Sequence, residues 1–494
     1  MGGLTIGIDV GTTGTKTILF DSTTGIVAHA SRESRLVSEH PGFSEADPAQ
    51  WLRNASESIR EILATTGVNP RDIGAVSTTG MVPAVVAIDA GGAPLRTAIL
   101  QNDARAVAEL DALKTMLAPL DLVGLTGSGL TQQSVAPTAL WLRRHEPDVW
   151  ARTCHLVGSY DWMLIALGAE IHVERNWAIE SGMYALGGDL LPEVLSAGQI
   201  SSDLLPRVVD PGTQIGEMSA AAAEACGLLQ GTALVVGGAD HVLSAFAAGV
   251  ERSGDWLVKL GGAGDILVAS ETALVDARLY LDAHPIPGRW LPNGCMATSG
   301  SLIRWYQSLV GGERLTTLDA EAELRPPAGV LCLPYFLGEK SPLHDPDLRG
   351  SFAGLSLSST RADLYRSVLE AIAFGFRSHA DIFRELGLEQ RRVMVTNGGS
   401  KSTLWKQIHA EILGTEMFPV VDHPGASLGA AIIAAIGIGA LERWAEVHRF
   451  VTLGDPVVPR PDRVRIYDEA YSEWQRLGSA IAPISHSLAT RTRE

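Results

Sequence analysis

Apolar and polar positions alternate closely over the first forty residues. Residues 4–10 (LTIGIDV) read as a strand, GTTG at 11–14 as a turn, residues 17–21 as a second strand, and residues 25–31 as the start of a third. Short strands joined by glycine-bearing turns predict an antiparallel meander. A doubly wound dinucleotide fold would place a helix directly after the first strand, and no helical period follows it. The period becomes helical over residues 51–65. It returns to strands over 73–78 and 85–89, and GAP at 92–94 marks the next turn.

The second half repeats the opening. Residues 233–236 form an apolar strand ending in GGAD at 237–240, and a helix is predicted over 241–248. A strand at 255–260, the turn GGAG at 261–264 and a strand at 266–270 follow. Two strand–glycine turn–strand units half a chain apart predict an α/β protein of two related halves facing each other across a cleft. The boundary falls between 249 and 254, which divides the chain into residues 1–248 and 249–494. The weakly polar run 427–441 (SLGAAIIAAIGIGAL) is short for a membrane span and reads as a buried helix against a sheet. Residues 443–460 read as mostly loop, and a last helix is expected over 468–479.

The chain has 494 residues, 46% of them apolar, and a net charge of −17. That length supports more than one core. An acidic surface repels nucleic acid and anionic membranes, so neither is an expected partner. Lysine is scarce, which draws attention to Lys16, Lys259, Lys340, Lys401 and Lys406. Cys154, Cys226, Cys295 and Cys332 are too scattered for a disulfide scaffold or zinc knuckle and are expected to be buried and reduced. The chain opens with no basic region before an apolar stretch, and the expected compartment is the cytoplasm.

Four segments carry candidate chemistry. In DVGTTGTK (9–16), Gly11 and Gly14 let the backbone approach a ligand, and Thr12, Thr13 and Thr15 offer hydroxyls to phosphate oxygens. Lys16 adds positive charge, and Asp9 at the strand end is placed to hold magnesium. An ordinary charged hairpin has the same composition, and no P-loop spacing is present. In GGADH (237–241), Asp240 follows an apolar strand and opens an apolar helix. It is a candidate base for a substrate hydroxyl attacking a γ-phosphoryl group, or a helix N-cap, or both. His241 either contacts a substrate oxygen or merely starts the helix. The turns GGAG (261–264), SGS (299–301) and NGGSKS (397–402) stand where backbone and a helix start can receive a nucleotide. In QNDAR (101–105), Asp and Arg either bind polyol hydroxyls or pair with each other. No histidine pair has metal-site spacing.

These residues together resemble the FGGY family of carbohydrate kinases, most nearly its xylulose-kinase branch. The likeness runs from IGIDVGTTGTK (6–16) through AILQNDAR (98–105), VVGGAD (235–240) and the long stretch 335–377 to NGGSKSTLWKQIHAEILGTEMFPV (397–420). It implies a two-lobed actin-like ATPase (ribonuclease H-like) fold with duplicated mixed-sheet domains and a central cleft. ATP and Mg2+ are the implied cofactors. Asp240 is the implied catalytic base, with Asp9 and Asp240 at the metal. Thr12, Thr13, Gly14, Lys16, Gly261, Gly262, Gly300, Gly398, Gly399 and Ser400 are expected around phosphate and nucleotide. Met81, Val82, Gln101, Asp103, Asp240 and His241 are expected around the sugar, a small-molecule ketopentose such as D-xylulose. A homodimer is allowed by this reading.

The chain departs from that branch at several positions. Gly80-Met81-Val82-Pro83 stands for the usual Gln-Met-His-Gly, Gln101 for a tryptophan, and His241 for the asparagine that commonly follows the base. Gly262-Ala263-Gly264-Asp265 replaces a phosphate loop that usually carries hydroxyls, and an acid there is unexpected. Other ketoses and polyols (ribulose, fuculose, erythritol) therefore stay open as substrates. A non-catalytic, chaperone-like ATP-binding protein of the same fold is the alternative from another class.

Overall fold

The computed structural model describes residues 3–423 and 425–493, the side chains through 491. The first lobe is built from β1 (Leu4–Gly11), β2 (Gly14–Asp21), β3 (Gly25–Glu33), α1 (Pro48–Thr66), β4 (Ile73–Gly80), β5 (Gln214–Glu217), β6 (Ala233–Ala239) and α2 (Asp240–Ala247). The second comprises β7 (Asp255–Leu260), β8 (Gly264–Val268), β9 (Tyr280–Ala283), β10 (Trp290–Met296), α3 (Gly300–Leu309), α4 (Arg361–Glu385), β11 (Arg392–Thr396), α5 (Thr403–Leu413) and β12 (Met417–Pro419). Two helices follow, α6 (Ala426–Gly437) and α7 (Pro461–Arg493).

Each lobe holds a six-stranded mixed sheet. Strand order is β5-β6-β4-β1-β2-β3 in the first and β9-β10-β8-β7-β11-β12 in the second. Both contain a three-stranded antiparallel meander followed by two parallel strands. In the first lobe these are β1-β2-β3 with β4 and β6. In the second they are β7-β8-β10 with β11 and β12. The repeat read from glycine turns is therefore a repeat of sheet topology. The protein is α/β with two mixed-sheet lobes, consistent with the actin-like ATPase pattern.

Local chemistry sets the ends of α1. Asp47 accepts from the Ala49 amide, proline fills the first helical position, and Gly67 closes the helix at φ 68°. The apolar run 427–441 does form a buried helix, but not in the second lobe. α6 crosses back and packs on the first sheet, with Thr5 Oγ1 donating to Ala431 O at 2.8 Å. A Cβ on Gly7 would stand 2.0 Å from Ser427 O, so glycine is what lets strand and helix meet.

Several expected boundaries shift. β6 continues through Gly237 and Gly238 rather than turning: its register with β4 shifts between Val235 and Gly238, and a Cβ on Gly237 would be 1.9 Å from Thr78 O. Residues 443–460 include a 3-10 helix, Trp444–Phe450. α7 is far longer than 468–479: Tyr467, Tyr471 and Trp474 anchor one face, while its remaining turns are mostly polar and exposed and gave little apolar period. Of the cysteines, all free, Cys226 and Cys332 are buried, whereas Cys154 and Cys295 are only half-buried. Among the described residues no helix is long and apolar enough to cross a membrane.

Candidate active site

β1, β4 and β6 are adjacent parallel strands whose carboxyl ends meet at one edge. Asp9 and Gly238 both pair with Thr79, and Val10 and Ala239 both pair with Gly80. Such an edge is where an α/β sheet leaves a crevice for ligand. It carries Asp9 and the 11–14 turn from β1, Met81 and Val82 beyond β4, and Asp240 beyond β6. Asp240 is the first residue of α2, and the N-cap position belongs to Ala239, so Asp240 does not serve as the cap. Its side chain is 40% exposed, toward the cleft.

Asp9 is the less solvated of the two acids. Its Oδ1 is buried without a hydrogen-bond partner. Burial first, then the Asp240 carboxylate, pushes its pKa up to about 7, against the opposing pull of Lys16 and Lys259. A buried carboxylate oxygen with unmet demand beside a second carboxylate suits a hard divalent cation.

A cavity of about 260 Å³ lies between the lobes. The first lobe contributes Val82, Gln101, Glu180, Asp240 and His241; the second contributes Lys259, Asp265, Asp282, Asn293 and Lys340. His241 Nε2 lies 2.7 Å from Asp282 Oδ2, and Nδ1 lies 3.6 Å from Asp240 Oδ1. Burial alone would lower the His241 pKa, but Asp282, Asp240 and Glu180 outweigh it and hold the ring protonated. Glu180, His241 and Asp282 are close enough to group around a cation. His241 and Asp282 pair across the lobes, with Glu180 beside them. Burial and the neighbouring Asp282 raise the Glu180 pKa well above the carboxylate range.

Other expected sugar-site residues divide. Gln101 lines the cavity, and its Nε2 reaches Thr12 Oγ1 at 3.4 Å, joining the two loops. Met81 is buried behind the lining, with its sulfur 4.0 Å from Thr12 Oγ1. Asp103 takes the other reading of QNDAR: Arg105 donates to its two oxygens at 2.8 and 2.7 Å, and the Ser44 amide donates at 2.6 Å. It holds the loop and does not line the cavity.

A larger cavity, about 730 Å³, opens in the second lobe. Gly261, Gly262, Gly300, Gly398 and Gly399 line it, with Tyr365, Leu369 and Trp405 as its apolar wall. Its size and its glycine rim at the start of α3 suit a nucleotide. Asn397, at the end of β11, is held at φ 71°, a conformation non-glycine residues seldom adopt outside functional turns. Ser400 folds back, its hydroxyl donating to Asn397 O at 2.7 Å, and is not part of the lining. Thr12, Thr13 and Gly14 form the β1–β2 tip, with Lys16 directly across from Asp9.

The glycines differ in why they are glycine. A Cβ on Gly399 would strike Trp405 at 2.1 Å, a packing constraint, whereas one on Gly262 would meet nothing within 4 Å. Gly262→Ala should therefore leave the melting temperature unchanged. If phosphate lies over this turn, the added methyl should raise the KM for ATP by about tenfold. An unchanged KM for ATP would move the phosphate elsewhere.

Sequence reasoning singled out Lys259 and Lys340 only for their scarcity and missed Glu180 and Asp282. An acid inside the otherwise apolar LYLDAH was the available signal for Asp282; nothing marked Glu180.

Comparison with known proteins bears on all of this geometry. Residues 4–247 match the N-terminal domain, and residues 262–438 the C-terminal domain, of the FGGY family of carbohydrate kinases. The crystal structure of xylulose kinase from Rhodospirillum rubrum is 40% identical, with a TM-score of 0.90 covering 97% of this chain and 99% of that one. Xylulose kinase from Staphylococcus epidermidis is 27% identical over 496 residues, 99% of each chain. Autoinducer-2 kinase from Escherichia coli is 28% identical over 509 residues, 98% of this chain and 96% of its own. The chain belongs to the FGGY family of carbohydrate kinases and is an ATP-dependent carbohydrate kinase.

Proposed function

We propose that the substrate is a ketopentose, D-xylulose, phosphorylated to D-xylulose 5-phosphate. The observation that carries this reading is the 40% identity to the Rhodospirillum rubrum xylulose kinase over nearly the whole of both chains. The interlobe cavity of about 260 Å³ is lined by hydrogen-bonding groups that suit sugar hydroxyls.

In this reading Asp240 is the general base. Its carboxylate orients the sugar hydroxyl and takes its proton as the new oxygen–phosphorus bond forms. His241, its Nε2 fixed by Asp282, faces Asp240 with Nδ1 and lines the sugar site beside the base. Val82 and Gln101 shape the sugar wall, with Met81 packed behind and Asp103 bracing the loop. Thr12, Thr13, Gly14 and Lys16 meet the phosphates from the first lobe. Gly261, Gly262, Gly300, Gly398 and Gly399 receive the nucleotide, with Ser400 fastening the last turn. Asp9 and Asp240 would hold Mg2+, which supplies charge neutralisation for the phosphates. An acidic chain of free cysteines that uses ATP fits the cytoplasm.

A second reading, another ketose or a polyol, is favoured by Val82 and Gln101, which stand where the branch usually has histidine and tryptophan. A screen of ketoses, polyols and sugar acids with coupled ADP detection decides between them. D-Xylulose is expected to give the highest kcat/KM by about tenfold or more. If another compound leads by that margin, the D-xylulose assignment falls while the kinase activity stands.

A further inference from the structure

The second phosphate-side turn, Gly261-Gly262-Ala263, has no hydroxyl to offer a phosphate, and an acid follows it. The structure explains the acid. β7 and β8 pair so that Lys259 stands directly across from Asp265, with Nζ 3.1 Å from Oδ2. Lys259 is only 12% exposed. The alternation along both strands shows which way the pair faces. Trp256, Val258 and Leu260, with Ile266 and Val268, belong to the core of the second lobe. Leu257 and Leu267 belong to the core of the first. Lys259 and Asp265 share the parity of Leu257 and Leu267 and so face the first lobe. There they line the interlobe cavity with Asp240 and His241.

The β1–β2 hairpin of the first lobe has the matching arrangement with the charges reversed. Asp9 stands two residues before Gly11 and pairs across the hairpin with Lys16; Lys259 stands two residues before Gly261 and pairs with Asp265. The two hairpins thus bring a carboxylate from one lobe and an ammonium from the other to the same cleft. The charge of Lys259 is felt at Asp9, and that of Asp240 at Lys259.

We propose that Lys259 is a further catalytic residue of the phosphoryl transfer, neutralising charge on the transferring group from the second lobe, and that Asp265 is the positioning residue that aims its ammonium. The sugar hydroxyl gives its proton to Asp240 and its oxygen forms the bond to phosphorus. The bond from phosphorus to the bridging oxygen breaks, and the electron pair leaves with ADP. Lys259 stays protonated throughout, supplying charge that the missing hydroxyls of the turn do not. The inference rests on the kinase activity and not on which sugar is used.

The test compares Lys259→Met, Lys259→Arg and Asp265→Asn with wild type on the best sugar of the screen. It also measures binding of ADP alone and of ADP with aluminium fluoride and sugar. Lys259→Met is expected to lose about a hundredfold or more in kcat. Its KM for sugar and its affinity for ADP should stay within about threefold of wild type, and its tighter binding of the aluminium fluoride complex should vanish. Lys259→Arg should keep at least about a tenth of kcat, and Asp265→Asn should lose kcat without losing ADP affinity. A Lys259→Met enzyme with near-normal kcat overturns the proposal, including where its KM for sugar has risen, since that would make the lysine a sugar ligand. If Lys259→Met fails to fold, a Lys259→Arg enzyme below about a tenth of wild-type kcat, or an Asp265→Asn enzyme with normal turnover, also overturns it. Wild-type protein without sugar-dependent turnover would count against the kinase reading itself, and the aluminium fluoride contrast then still tests Lys259.

Discussion

Asp240→Asn is expected to lose about a hundredfold or more in sugar-dependent turnover, with ADP affinity and melting temperature near wild type. The expectation starts from backbone geometry. β6 lies between β4 and β5, and its last residues carry the chain to the edge where β1 and β4 also end. Asp240 opens α2 there with its side chain turned into the cleft. Asparagine has nearly the same shape, and since the N-cap is Ala239, no capping bond is lost with the carboxylate. What is lost is a base able to accept the hydroxyl proton as phosphorus is attacked. A structural role predicts the reverse pattern, a lower melting temperature with near-normal turnover. Turnover, ADP binding and melting measured on one preparation separate the two, and near-wild-type turnover would remove Asp240 as the base.

Asp9→Asn is expected to raise the magnesium needed for half-maximal turnover by at least about tenfold and to lower kcat at saturation. Its Oδ1 is buried with no hydrogen-bond partner, a demand that a bound cation meets. Because its pKa is raised to about 7, proton and cation compete for it in the working range. Wild type should therefore need more magnesium as the pH falls through about 7, and Asp9→Asn should lose that dependence. The sign for stability is fixed by the same shift. In magnesium-free buffer the folded protein holds this proton where the unfolded chain has released it. Wild-type stability should fall as pH rises from about 4 to about 7, and the variant should be the more stable form above that range. An unchanged magnesium titration would rule out Asp9 at the metal.

How much of this was legible depended on whether the information was local. The β1–β2–β3 meander and the Asp9–Lys16 segment could be read directly, because alternation and glycine turns are encoded within a few residues. Asp240 could be read because a lone carboxylate between an apolar strand and an apolar helix is conspicuous. The Gly237-Gly238 pair misled: glycine signals a turn, but here it lets β6 lie against β4, a contact between residues far apart in sequence. The Lys259–Asp265 pair required the β7–β8 register, which a glycine turn of uncertain length does not give. Glu180 and Asp282 reach the site from a helix and a strand that carry no motif, and only the packing of the two lobes brings them together. Asp103 shows the opposite error, a conspicuous acid whose oxygens are committed to Arg105 and Ser44.

The central claim is that the interlobe cleft moves the γ-phosphoryl group of ATP onto a sugar hydroxyl. The direct measurement follows γ-labelled ATP in the presence and absence of D-xylulose and the other sugars of the screen. The account predicts that label accumulates on the sugar in equal amount to the ADP formed, and that little ADP forms without sugar. ADP accumulating with free inorganic phosphate, at a rate indifferent to any sugar, would contradict it.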